Sequence, residues 1–582
     1  MSYRLEARNQ KKGIYLIIEK KYRDKIKKQS MTKHIKTLGY LHDLEKEFPD
    51  PIAHFKEVVS QMNAEEKSSK KLSLEIDLTE KLPDNSHFRY NLGYAIIMQI
   101  YHELELDRFL NRKSRQETFE YNTNSIMQLL TISRILNPSS KKKSYEEKDM
   151  FFERFDFELH HVYRALSHFS KIGEEFQCFI SEQINSKLGR DTSLMYFDVT
   201  NFHFEIDETD EFRKRGKEKN NRPDPIVQMA LAMDSDGIPL YYKLFSGNTH
   251  DSKTFIPVFK DVCVKFNPGR VIAVADMGCT SSNNIYFLKG GDRERRVNGY
   301  VFSFSIRKGS EDFKKYVLDD TGYLDRDGNS LKKDYDYKIK SRIEVREIQV
   351  TMKNGSQKSM LIDEKQVIFW SEKYAHKAKA EREQTIKKAL DIIENPKKHN
   401  KNTVYGAAAY VKNITFDKKT GEIFEEGGKK LLFNEEKAME DAKYDGYYCI
   451  ISSELDMSAQ RIIEIYRGLS DIEDNFKVVK GELDIRPVYV SREDKINAHV
   501  LTCFISLVIL RLMQKKTMYK FTPEQLVSCL KNISCSLEYE NVYLFDYRSD
   551  ISNEIGKAFN IDFTRKRLRL NEIKNILATS KK

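Results

Sequence analysis

Apolar residues recur every three or four positions through Ile462, Ile465, Leu469, Ile472, Phe476, Val479 and Leu483, and this spacing predicts an amphipathic helix within residues 459–488. Ser458 stands before its first turn as a cap, and Pro487, just past the last apolar position, stops it. Beside the apolar stripe, Tyr466, Glu473 and Lys480 fall seven apart, so one continuous helix projects all three from nearly the same side, roughly 10 Å between neighbours. Charged flanks of a helix are usually solvated, and these three gain chemical meaning only if other acids reach them.

The same test sorts the rest of the chain. Residues 13–18 and 34–38 are β-prone runs separated by the basic segment 20–28, and a helix follows at 52–62 behind Pro49 and Pro51. They predict a small α+β module over residues 1–80 with a basic face, with the low-complexity patch 65–71 as a linker. Three-and-four spacing over 92–106, 125–136 and 163–184 makes 88–190 an all-helical module and a candidate DNA-binding domain. Its segment Asn137-Pro-Ser-Ser-Lys-Lys-Lys143 offers hydroxyls and cations at a turn, either as the joint of a DNA-binding unit or as a plain connector.

At Leu194 the texture changes. Residues 194–200 are an almost wholly apolar strand interrupted by Asp198; 226–234 and 238–245 form a hairpin about Ser235-Asp-Gly237; a helix spans 252–266. Residues 270–276 repeat the theme of a buried strand ending in an aspartate, Asp276, before a helix at 281–288 and a fifth strand at 300–306. This order predicts an α/β fold, an RNase H-like mixed five-stranded sheet covered on both faces. Its first part is 191–307 and its second 444–490, with a β-rich insertion at 308–443 that surrounds a charged helix at 373–393. The region 491–582 is predicted to be helical, with 500–510 packed inside and a basic end at 565–569.

Composition narrows the partners. Lys plus Arg exceed Asp plus Glu by 99 to 88, a net charge of +11, which favours an anionic partner such as nucleic acid. Seven cysteines without a CxxC pair predict neither a zinc site nor a disulfide framework, and suit a reducing cytoplasm. The opening MSYRLEARNQKKG lacks the apolar core of a signal peptide. The longest apolar run, 498–510, is shorter than the roughly 20 residues that cross a bilayer, so no membrane association is expected.

Asp198, Asp276 and Glu473 are far apart in sequence, and only the predicted sheet joins them, because its first and fourth strands are neighbours and the late helix packs across their end. Taken singly, Asp276 at a strand end reads as a helix cap, whereas Asp198 within an apolar strand is costly unless it has a partner. Three converging carboxylates repel unless hard divalent cations neutralise them, which points to two magnesium ions, with manganese as substitute. Such a pair activates a water or 3′-hydroxyl for in-line attack on a phosphodiester. Tyr466 and Lys480 would then reach the DNA backbone.

These residues resemble a family. Tyr-Phe-Asp-Val-Thr at 196–200, Ser-Gly-Asn-Thr-His-Asp at 246–251, Val-Ala-Asp-Met-Gly at 274–278, the helix bearing Tyr466, Glu473 and Lys480, and the Arg134-Ile-Leu-Asn-Pro-Ser-Ser-Lys141 segment are together similar to bacterial insertion-sequence transposases of the DDE type. The branch is the one with a Tyr-Arg-Glu-Lys signature and a β-strand insertion in the catalytic core. The resemblance implies that Asp198, Asp276 and Glu473 are the metal-binding catalytic acids and that Tyr466 and Lys480 contact DNA. It also implies a homodimer acting on double-stranded DNA, the inverted terminal repeats of an element and a target, by cut-and-paste chemistry in the bacterial cytoplasm. One departure is that the signature arginine position holds Leu469, with Arg467 nearby on a different face as the candidate DNA contact. Trp370, the one tryptophan, lies in the insertion, where an aromatic residue of related transposases holds a flipped base; a core tryptophan is the plain alternative. Rival readings of the whole chain are a catalytically silent DNA-binding derivative and an RNase H-like nuclease that cuts without joining.

Overall fold

A computed structural model gives the fold of residues 2–581, except 24–28, 69–78, 80, 82, 85, 87–88, 217–223, 292–296, 332–333, 353, 400–403, 405, 417–421, 425–429 and 487, which lie outside the described residues. The chain divides into the units Met1–Ser86 and His87–Lys582.

In the first unit β1 (Ser2–Gln10), β2 (Gly13–Arg23) and β3 (Ser30–Tyr40) form an antiparallel sheet in that order, followed by α1 (Leu41–Leu44) and α2 (Pro51–Ser68). β1 escapes sequence reasoning because it is mostly polar. Its register from Ser2↔Lys21 to Gln10↔Gly13 and the ion pairs of Arg4 and Arg8 with the buried Glu19 stand in for an apolar face. The helix continues to Ser68 through the predicted linker; residues 69–71 of that patch, and 24–28 of the basic segment, are among those not described.

The second unit opens with β4 (Arg89–Asn91) and a helical layer, α3 (Tyr94–Glu103), α4 (Leu106–Ser114), α5 (Thr123–Leu136), α6 (Lys141–Glu146) and α7 (Leu159–Leu188). The sheet region follows as β5 (Leu194–His203), β6 (Ile226–Met233), β7 (Pro239–Ser246), α8 (Asp251–Phe266), β8 (Ile272–Ala275), α9 (Ser282–Leu288), β9 (Gly299–Phe304), α10 (Glu311–Leu318), β10 (Tyr337–Thr351) and β11 (Gln357–Ser371). Next come α11 (Glu372–Glu394), the short strands β12 (Val411–Lys412), β13 (Thr415–Phe416), β14 (Ile423–Phe424) and β15 (Leu432–Phe433), then α12 (Glu435–Ala442) and β16 (Tyr447–Ser452). The chain closes with α13 (Ala459–Arg467), α14 (Ser470–Lys480), α15 (Glu493–Lys516), α16 (Pro523–Asn532), β17 (Ser534–Tyr539), β18 (Val542–Phe545), α17 (Asp550–Phe559), β19 (Arg567–Arg569) and α18 (Leu570–Thr579).

The main sheet is mixed and has eight strands in the order β10-β11-β16-β9-β8-β5-β6-β7, where the sequence predicts five. β5 is antiparallel to β6 and parallel to β8, which is parallel to β9, so the predicted adjacency of the first and fourth strands holds. The extra strands are β16 and the hairpin β10–β11, which lies within the predicted insertion and adds two long strands to the sheet's edge. Only the remainder of the insertion has its own small core, from Ala389 and Ile392 of α11 to Tyr410, Leu431 and Ala438. The C-terminal region is likewise not wholly helical: β17, β18 and β19 pair with β4 into a four-stranded sheet, joining residues 89–91 to 534–536.

Alternation along the strands sorts side chains onto two faces. One face, with Tyr196, Leu231, Val274, Ile450 and Val367, packs with α7, α13, α14 and α15; the other, with Phe197, Ala230, Ala275, Phe302 and Ile451, packs with α8, α9 and α10. α15 is long and apolar enough to cross a membrane, but 89% of its apolar window is buried, wrapped by α3, α5, α7 and α14.

Candidate active site

Strand register sets the first two acids side by side. The β5–β8 pairing ends at Phe197↔Ala275, so its next step puts Asp198 beside Asp276; β8–β9 pairing ends at Ala275↔Phe302, so the next step puts Asp276 beside Ser303. Adjacent strands are about 4.8 Å apart. Continued outward, this row reads Leu231 and Tyr242 on one side and Ile450 and Val367 on the other, all apolar core. Asp198, Asp276 and Ser303 thus interrupt an apolar row at its centre, on the face covered by α13 and α14.

Local bonds hold this edge in shape. Gly278 N–H donates to Asp276 Oδ1 at 2.8 Å, Val199 N–H donates to Asp198 Oδ1 at 2.7 Å, and Thr280 Oγ1 donates to the Ser303 carbonyl at 2.9 Å, tying the turn after β8 onto β9. Asp276 is exposed and Asp198 half-buried. A side chain at Gly278 would meet Asp276 Oδ1 at 3.1 Å and Asp251 Oδ2 at 3.5 Å, so Asp251, at the start of α8, flanks the same turn.

The predicted single helix is in fact two. Ser458 caps α13 as expected, accepting from Arg461 N–H at 3.2 Å, but the helix ends at Arg467 and α14 starts at Ser470. Pro487 falls outside the described residues, and α14 stops earlier, at Lys480 before Gly481. The joint is a tightened turn with three-residue bonds, Leu469 N–H to Tyr466 O at 3.0 Å, Asp471 N–H to Gly468 O at 3.1 Å and Ile472 N–H to Leu469 O at 3.2 Å. Its cause is Gly468, which lies so close to the Tyr196 phenol that a Cβ there would overlap it. Glycine is also a poor helix residue. Tyr466 and Glu473 therefore ride on separate rods, while Glu473 and Lys480 remain two turns apart on α14, whose first turn favours acids and whose last turn favours cations.

Tyr466 links the strands to the helices. Its phenol pKa is raised by burial, opposed by a hydrogen bond with the Ser303 side chain, and raised further by the nearby charges of Asp276 and Glu473. Both acids are therefore close to this one ring. α14 packs on β5, with Ile472 and Phe476 in the core and Glu473 exposed. Leu469, at the signature arginine position, is 8% exposed and part of the core; Arg467 is exposed.

The turn after α14 is clamped from the helical layer. Arg134, buried on α5, donates to Leu483 O and Asp484 O at 3.2 Å each and to Ser139 O at 2.9 Å. His499 on α15 reaches Ile485 O at 3.1 Å and shares a 3.0 Å contact with the buried Lys141 Nζ. The Arg134–Lys141 motif thus braces the candidate catalytic helix from inside, and of the turn's cations only Lys142 and Lys143 face solvent, each beside a glutamate of α6's end. Of the cations read at this turn, Lys141 is thus turned inward.

Trp370 is not brought to the acids. It follows β11's even-numbered face, opposite to Val367 and Phe369; its indole N–H donates to Asp445 O at 3.0 Å and Tyr335 packs edge-on to it. The residues that sequence reasoning missed are Ser303 and Asp251. Ser303 could be found only through register, whereas Asp251 sits in the quoted 246–251 motif.

Among the described residues no three His, Cys, Asp or Glu side chains are gathered closely enough to hold a metal ion. The register pair Asp198 and Asp276 supplies hard oxygen donors side by side, the type that a divalent magnesium or manganese ion takes; Glu473 is on the same face but outside that pair. A family model described as "Transposase DDE domain" matches residues 191–509, which includes β5, β8, α13 and α14. The chain belongs to the DDE transposase family. No curated protein matches it. A solved structure titled "Mos1 transposase paired-end complex with left transposon end" is 14% identical over 39% of this chain and 63% of that one, with a TM-score of 0.13, too low to carry an argument. This chain therefore spans less than two thirds of the Mos1 chain's length.

Proposed function

We propose that this DDE transposase is an insertion-sequence enzyme that binds the ends of its element as a homodimer and performs strand cleavage and strand transfer by cut-and-paste chemistry in the bacterial cytoplasm. The observation that supports it most is the placement of Asp198 beside Asp276 on parallel strands within the segment matched by the family. We read β7-β6-β5-β8-β9 as an RNase H-like core, and the branch as the one with the Tyr-Arg-Glu-Lys signature and a β-strand insertion.

DDE transposases work with divalent cations. Asp198, Asp276 and Glu473 would hold two magnesium ions, or manganese in their place, which supply charge stabilisation at the attacked phosphodiester. Glu473 would join the pair from its own rod, α14, which packs on β5. Ser303 holds Tyr466 at the rim of the site, where its phenol meets the DNA backbone. Lys480 and Arg467 add cations to the same track, Lys480 as a point charge on phosphate. The basic module 1–80 and helices of 88–190 extend the contact with DNA, and Trp370 on the far face is the candidate base-stacking residue, to be tested by its leucine variant.

The test is incubation of the purified chain with duplexes carrying the flanking ends of its own element and manganese, with products sized on a denaturing gel. Nicks together with joined products support the proposal. Nicks alone would favour a nuclease, and a retarded complex without any nick would favour a silent DNA-binding derivative.

A further inference from the structure

A hollow of about 390 Å³ lies away from the acids, between the first turns of α7, the segment before α5 and the N-terminus of α15. Four cations line it: Arg164 and Lys171 from α7, and Arg492 and Lys495 beside α15. Against them stand Glu117 in the wall and Asp494, which pairs with Arg492 at 3.1 Å. Lys495 Nζ donates to the Tyr163 carbonyl and to Ser167 Oγ, so the α15 wall is fastened to the α7 wall.

The floor is unusual. His168 is 6% exposed, it lines the hollow, and its Nε2 is buried with no hydrogen-bond partner among the described residues. A buried polar atom left without a partner costs free energy, so it points to a ligand that completes it. Its ring is fixed edge-on by Phe119, with centroids 4.8 Å apart, and Arg164 lies 5.8 Å from the Tyr121 ring, which stacks on His161. The site therefore carries an excess of guanidinium and ammonium donors, four cations against Glu117 and the Asp494 beside Arg492. Phosphate oxygens are acceptors only and carry the opposite charge.

Position selects the phosphate's source. Phe204, the residue just past β5, packs with Val227, Val488, Val490 and Ile496, so the start of α15 sits at the end of the sheet toward which β5 runs after Asp198. Six residues of strand separate Asp198 from Phe204, about 20 Å, or some six base pairs of duplex. We propose that this hollow is an anchor for a backbone phosphate of DNA, outside the cleavage centre and on the same flank of the molecule. This rests on the DNA-binding reading of the whole chain and adds a second contact to it.

The double variant Arg164→Ala/Lys171→Ala tests it. Affinity for a 40-base-pair duplex, measured from about 0.05 to 0.3 M salt, is expected to fall tenfold or more at the low end. The slope of log affinity against log salt should flatten by about 1 to 2, one contact releasing roughly 0.9 counterions. Thermal unfolding should be unchanged, and His168→Phe, which removes the unpartnered nitrogen and keeps the ring, should lower affinity with little change in slope. An unchanged affinity and slope in a chain that still binds duplex would overturn the anchor and leave the functional reading intact. If the wild-type chain binds no duplex, both fall. Calorimetric titration with inorganic phosphate and with a nucleoside monophosphate separates the sources: micromolar binding of either that duplex does not compete away would assign the hollow to a free anion and end the proposal.

Discussion

Glu364 and Asp276 are carboxylates on opposite faces of one sheet, and their surroundings differ in every respect. Glu364 is fully buried; Arg346 from the neighbouring strand donates to both its oxygens at 2.9 and 2.7 Å, and the Tyr300 hydroxyl adds a third bond at 3.1 Å. Burial, with the Glu364 charge beside it, pushes the Tyr300 phenol far up, so that hydroxyl stays a donor. Asp276 ends its strand exposed, with a backbone amide on one oxygen and Asp198 as its register neighbour. An acid saturated by an internal cation serves the fold. Two acids stacked at an open strand end add repulsion, which a bound divalent cation relieves.

The strongest test of this contrast removes charge from each. Asp198→Asn or Asp276→Asn should lower manganese-dependent nicking by more than about 100-fold, the scale on which metal stabilisation of developing charge acts, with the denaturant midpoint of Asp276→Asn unmoved. Nicking at the wild-type rate would break the assignment. Glu364→Ala should do the reverse, costing about 3 kcal/mol in urea unfolding because Arg346 is left without its partner, while folded molecules still nick DNA.

The contrast extends to cations. Lys141 is buried, and burial, then the Arg134 charge, lowers its pKa from the ordinary 10.5 to about 7. Between these values the unfolded chain holds a proton that the folded chain lacks, so stability rises with pH from about 7 toward 10.5 and is flat in this respect below 7. Relative to Lys141→Met, the wild type should gain up to about 1.4 kcal/mol per pH unit across that window, read from urea midpoints at pH 7, 8 and 9. Equal slopes for the two proteins would refute it. Arg467, exposed, should show the smallest effect: Arg467→Ala should move stability by less than about 0.5 kcal/mol and weaken duplex binding only severalfold, whereas Leu469→Arg, which forces the signature cation into the core, should lower stability by several times as much.

The strands carrying the acids were legible because each combines a buried apolar run with a terminal or interrupting aspartate, and because strand order made the first and fourth neighbours. What was hidden depended on contacts made far away in sequence. The break at Gly468 comes from the Tyr196 phenol, 272 residues earlier, so helical periodicity alone runs straight through it. Two of the sheet's three extra strands, β10 and β11, read as part of the insertion because a strand's own pattern says nothing about which edge it joins, whereas β16 falls in the predicted second part of the core. β1, β17 and β19 lack strong apolar runs and owe their strand form to pairing. Ser303 carries no sequence signal at all; only its place next to Asp276 makes it notable.

The pairing of β4 with β17 and the burial of α15 among α3, α5 and α7 bear on how this chain can be divided. The matched segment, 191–509, cuts α15 seven residues before its end and discards the helices that cover it, together with Arg134 and its hold on Leu483 and Asp484. Excised at those limits, the matched region would expose a long greasy rod and lose the brace behind α14. The matched segment and the packed sheet that joins residues 89–91 to 567–569 therefore have different borders here.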